Sequence, residues 1–143
     1  MVARALVDSG STGSCIDSGF VERHGFTTHK APISVTVYNA DGTVNECGKI
    51  TAYVEARLSV GEHAERIHLG VVKLGNANIF LGHDWLSLHN PTIDWTEGTL
   101  LFYRCPGQCD FREEDLEKAE TKDQVQEWLS SMNLALPYAA HTS

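Results

Sequence analysis

Apolar and polar side chains alternate most regularly between Ile50 and Val60, where Ile50, Ala52, Val54, Ala56, Leu58 and Val60 interleave with Thr51, Tyr53, Glu55, Arg57 and Ser59. A period of two predicts a strand with one buried and one wet face. A turn at Gly61-Glu62-His63 returns the chain into a second strand, with Ile67, Leu69 and Val71 inward and Arg66 and His68 outward. Ile33 to Tyr38 alternates in the same way. Ala5-Leu-Val7 and Ile79-Phe-Leu81 are short, wholly apolar runs ending at Asp8 and Gly82, the pattern of strands buried on both faces.

Two short helices interrupt these strands. Asp17 or Ser18 caps one that carries Phe20, Val21 and His24 and stops at Gly25. Another starts at His83 or Asp84, carries Trp85, Leu86 and Leu88, and ends at Asn90-Pro91. After Ile93-Asp-Trp95, a turn at Thr96-Glu-Gly98 leads into a last strand, Thr99 to Tyr103. The sum is an all-β barrel or sandwich, with residues 1–104 as one domain and 105–143 as an acidic, partly helical tail or linker. That tail holds eight acidic and three basic residues, and Val125, Trp128, Leu129 and Met132 fall at helical spacing.

Composition narrows the function. The 143 residues are 42% apolar, and eleven Lys and Arg against nineteen Asp and Glu give a net charge of −8, which disfavours direct binding to a phosphate backbone. No stretch is long and apolar enough to span a bilayer, so no membrane partner is expected. The N-terminus lacks the pattern of a secretion signal, and Cys15, Cys47, Cys105 and Cys109 show only one C-x3-C pair. They read as reduced thiols of an intracellular, cytoplasmic protein, with neither a disulfide framework nor a metal site expected. His83 and His89 read as surface or helix-end residues.

The chemistry-bearing candidate is Asp8-Ser9-Gly10, which ends a short apolar strand and so puts a carboxylate at a strand-to-turn junction. Alone, such a triplet is a common turn. Asp17, Asp41, Asp84 and Asp94 read as cap, turn or ion-pair residues.

Taken together, Ala5-Leu-Val-Asp-Ser-Gly-Ser-Thr12, Val37-Tyr-Asn-Ala-Asp-Gly-Thr43, Gly48-Lys-Ile50, and Ile79-Phe-Leu-Gly-His-Asp-Trp-Leu-Ser-Leu-His-Asn-Pro91 with Ile93-Asp-Trp95 resemble the retropepsins of gypsy-type retrotransposons. The resemblance implies an all-β, retropepsin-like acid protease barrel. It implies an aspartic endopeptidase without a cofactor, in which Asp8 is one of two catalytic carboxylates and the other comes from an identical subunit. Ser9 and Gly10 would support the catalytic loop. Ser11, Thr12 and Phe80 would line the substrate cleft, and Asp41, Gly42 and Gly48 would form a flap over an extended peptide. The substrate would be a retrotransposon polyprotein, and one setting would be the retrotransposon particle. Two departures stand out: seven residues before Asp8 leave no room for the family's N-terminal hairpin, and Thr12 and His83 replace an acidic residue and an Arg found in retroviral relatives. The competing expectation is a catalytically silent dimerisation or interaction module. A zinc or thiol enzyme using Cys105 and Cys109 ranks third, because no further ligands stand at metal-site spacing.

Overall fold

The computed structural model describes residues 2–11, 13–39, 41–60, 63–75, 77–105, 109, 128–129 and 135–136. Nine strands are described: β1 (Ala5–Val7), β2 (Cys15–Asp17), β3 (His29–Asn39), β4 (Val44–Val60), β5 (His63–Val72), β6 (Ile79–Leu81), β7 (Thr92–Asp94), β8 (Thr99–Leu101) and β9 (Ala135–Leu136). Helix α1 (Ser18–His24) lies between β2 and β3, and α2 (His83–His89) between β6 and β7. Seven strands form one sheet in the order β1-β6-β2-β5-β4-β3-β9, while β7 and β8 pair separately. The expected succession of short strands with two short helices is what the chain adopts.

Period two splits the sheet between two cores. Ile16, Ile79, Leu81, Val54 and Leu69 pack on one face with Phe20, Val21 and Trp85. Their chain neighbours Cys15 and Phe80 pack in a second core with Ile50, Val72, Val35 and Val37. Strand β5 therefore has no wet face: His68, expected outside, is buried, and so are His63 and Glu65.

Local chemistry fixes the helix ends. The Asp17 carboxylate accepts the Phe20 N–H at 3.0 Å and the Leu74 N–H at 2.8 Å, capping α1 while tying it to the end of β5. Gly25 ends α1 at φ 65°, and Asn90 ends α2 at φ 42°, a left-handed position that Asn tolerates. In β3 the pairing with β4 shifts register between Lys30 and Val35, the stretch that contains Pro32, which has no N–H for the ladder.

Two expectations change. Among the described residues strand β1 is not enclosed: it sits at the sheet edge with β6 as its neighbour in the strand order, and Leu6 is 44% exposed. Within the tail, Leu129 is buried in the core beside Val35 and Phe80, and Ala135–Leu136 runs parallel to Tyr38–Asn39. Those four residues of the tail, Trp128, Leu129, Ala135 and Leu136, lie against the domain; most of the other tail residues lie outside the described set.

Candidate functional site

Strand β6 passes between β1 and β2, parallel to the first and antiparallel to the second. The connection from β1 to β2, residues 8–14, must therefore loop over the end of β6. Asp8 sits at the start of that loop. Its N–H donates to the Leu81 carbonyl at 2.9 Å, continuing the β1–β6 ladder by one residue. Its Oδ1 accepts the Gly10 N–H at 2.9 Å, and its carbonyl accepts the Ser11 N–H at 3.2 Å. The carboxylate is thus oriented by its own turn and remains half-buried, with Ser9 and Gly10 exposed beside it.

A second layer of bonds locks this loop to the turn between β6 and α2. The His83 N–H donates to the Ser11 carbonyl at 2.6 Å. The Gly82 N–H donates to Ser14 Oγ at 3.0 Å, and that hydroxyl donates onward to Asp84 Oδ1 at 2.8 Å. Asp84 Oδ2 also accepts the Ser14 N–H at 3.3 Å. Gly82 is required here for space: a Cβ would lie 2.5 Å from the Gly13 carbonyl oxygen and 2.7 Å from that of Ser11. Asp84, expected to be a cap or ion-pair residue, is instead the brace between the Asp8 loop and α2.

The other expected site residues divide. Ser11 is buried and its hydroxyl donates to the Gly13 carbonyl at 2.9 Å, so it holds the loop's shape and does not face a cleft. Phe80 is 2% exposed inside the core and forms no pocket wall, because alternate residues of β6 face opposite cores and its neighbours there are Cys15 and Val35. Thr12 lies outside the described residues. Asp41 and Gly42 stand at the tip of the β3–β4 hairpin, where Asp41 Oδ1 accepts the Thr43 N–H at 3.0 Å and Gly42 has φ 88°. Gly48 does not belong to that tip; it lies within β4, four residues beyond the strand's start. Burial pushes the Cys15 thiol up, and the nearby charges of Asp84 and Asp8 push it further, so it stays protonated and inert.

A second cluster lies at the other end of α2, where sequence spacing gave no warning. His89 is not at the surface: it is 1% exposed. Its Nε2 lies 3.1 Å from the Glu65 carboxylate, which also receives His63 Nε2 at 2.5 Å and the Trp85 indole N–H at 3.0 Å. Burial pushes the Glu65 carboxyl up, but the bonds from His89, His63 and Trp85 outweigh it and hold the carboxyl below its ordinary range. The opposite ring atoms turn toward sulfur. Cys105 Sγ is 3.6 Å from both His63 Nδ1 and His89 Nδ1, and Cys109 Sγ is 3.3 Å from His89 Nδ1. Cys105 and Cys109, placed in the tail by composition, belong to this cluster on the folded domain.

The signal that could have found it is local. His63 and Glu65 are two apart on one strand and so share a face, and Trp85 and His89 are four apart on one helix and so share a stripe. The C-x3-C of Cys105 and Cys109 stands apart from both pairs in the chain, 16 residues beyond His89, and the fold brings it to them.

A family model described as the PEG10/RTL1 protease domain matches residues 4–109. Among solved structures, the retroviral protease-like domain of Ddi1 from Leishmania major is similar over 81% of this chain and 89% of that chain, at 17% identity and a TM-score of 0.47.

Proposed function

Because the chain belongs to the PEG10/RTL1 protease-domain family, a retropepsin-like group of gypsy-type retrotransposon origin, we propose that it is one half of an aspartic endopeptidase that a second copy of the chain completes. The observation that carries this reading is the Asp8 carboxylate, held by Gly10 on a loop braced from below by Ser14 and Asp84, and half-exposed. One carboxylate alone cannot both take a proton from water and donate one to a carbonyl. Two such groups brought together by twofold symmetry share a single proton, because like charges at hydrogen-bonding distance do not both ionise. The ionised Asp8 then takes a proton from water as its oxygen attacks the scissile carbonyl, and the protonated Asp8 donates to the carbonyl oxygen. Collapse of that adduct transfers a proton to the departing amine. No covalent enzyme intermediate forms.

The substrate would be an extended stretch of a retrotransposon polyprotein, recognised through its backbone and covered by the hairpin tip at Asp41 and Gly42. The exposed edge of β1, with Leu6 half in solvent, supports a second chain seated there.

The test is cleavage of an extended apolar peptide library between mildly acidic and neutral pH. Turnover is expected to rise faster than linearly with chain concentration and to fall by about 10²- to 10⁴-fold or more in Asp8→Asn. A folded chain that cleaves nothing across that range would replace this reading with the silent interaction module.

A further inference from the structure

We propose that His63, His89, Cys105 and Cys109 form a structural zinc site. Their four ligand atoms, two imidazole nitrogens and two sulfurs, lie within 4.8 Å of one another, and three of the four residues are buried. A tetrahedral ion with zinc–sulfur bonds of about 2.3 Å and zinc–nitrogen bonds of about 2.0–2.1 Å sets sulfur–nitrogen edges of about 3.6 Å. The edges observed here are 3.6, 3.6 and 3.3 Å. Three of the six edges therefore already match those of a zinc tetrahedron.

The surroundings select the ring atoms that would bind. A carboxylate only accepts, so Glu65 keeps hydrogen on the Nε2 of both His63 and His89. That leaves the Nδ1 of each ring facing the sulfurs. Metal-bound histidines characteristically donate their second N–H to a carboxylate, and here one carboxylate serves both rings, with Trp85 fixing its position. Phe102 stacks on His63 with ring centroids 4.1 Å apart, so an aromatic wall closes one side. Two sulfurs and two imidazoles favour zinc over harder cations, and four protein ligands leave no open position for a substrate. On binding, the two thiols release their protons to solvent, and the two thiolates offset the charge of the ion.

The ligands come from the start of β5, the end of α2 and the segment after β8, so the ion would staple three separate parts of the chain. The staple is independent of Asp8 and of any proteolysis.

The experiment uses the full chain purified without chelator. Zinc content is measured, then zinc is removed and either Zn²⁺ or Co²⁺ is added alone. About one zinc per chain is expected, and the cobalt form should show intense tetrahedral visible bands with thiolate charge transfer. Zn²⁺ at a hundredfold excess over its Kd should raise the melting temperature of the stripped chain by roughly 5–10 °C. The double variant Cys105→Ser, Cys109→Ser should lose all three responses, while the exposed His29→Gln keeps them. Failure of the unaltered chain to take up zinc, a cobalt spectrum without thiolate charge transfer, or an undiminished response in the double variant would each overturn the site.

Discussion

Helix α2 carries a different kind of chemistry at each end, about 10 Å apart along a seven-residue helix. At its start, Asp84 braces a loop whose Asp8 carboxylate is half-exposed. At its end, His89 enters a cluster in which every nitrogen and oxygen already has a place and four donors converge within one chain. Both ends use the same device, a carboxylate accepting several hydrogen bonds, but toward opposite purposes. Asp84 shapes a loop that stays half-exposed, whereas Glu65 sits inside a buried cluster. Exposure leaves the first end accessible to another molecule, while burial makes the second depend on this chain alone.

If the two ends are separable, variants at one should leave the other's readout intact. Gly82→Ala is the severest: its Cβ would strike the Ser11 and Gly13 carbonyls, at a cost of about 2–3 kcal/mol, seen as a melting temperature lower by roughly 6–10 °C and loss of peptide cleavage. Glu65→Gln should weaken zinc binding by about 10- to 100-fold in a competition titration, while cleavage at saturating zinc stays as it was. Asp84→Asn keeps the shape but leaves one oxygen to receive the two bonds from Ser14, and should cost about 1–2 kcal/mol in a denaturant titration, slow cleavage, and leave zinc content unchanged. Cleavage lost in Glu65→Gln, or zinc lost in Asp84→Asn, would mean that α2 transmits between its ends.

The smallest expected effect lies away from both ends. Burial pushes the Glu55 carboxyl up, yet hydrogen bonds from His68 and Arg66 outweigh it and leave it below its ordinary value near 4.5. A carboxyl lowered by folding adds stability that is present above that ordinary value and lost as pH falls through the folded one. Glu55→Gln should therefore lower the melting temperature by about 1–3 °C near pH 7, and the two curves should converge as pH drops below 4. A gap that widens in acid would reverse the assignment.

Much of this was legible from residue order, and what was not has physical reasons. Asp17 with Gly25, and Asn90 with Pro91, mark helix ends because caps act within a few residues. The Ile50–Val60 alternation marks its strand for the same reason. Asp8 was found by its neighbours in the chain. Phe80 was misplaced because an apolar run of three says that both faces are covered, not which core each residue enters. The His/Cys cluster escaped because its members are 42 and 16 residues apart, and only the packing of β5 against α2 joins them. The exposure of β1 escaped because position at a sheet edge is a property of topology, not of composition.

The insertion of β6 between β1 and β2 also sets an order of events during synthesis. The Arg4 N–H is received by the side chain of Asn78, 74 residues later, and Asp8 and Ser11 take their partners from Leu81 and His83. Before residues 78–83 have been made, only its own turn, with the Gly10 and Ser11 N–H groups on Asp8, holds the Asp8 loop, and long-range pairing of the kind that completes it is slow to form. The Asp8 loop is thus locked in place late on the ribosome, after β6 has emerged, and a chain that stops short of β6 carries the aspartate without these partners.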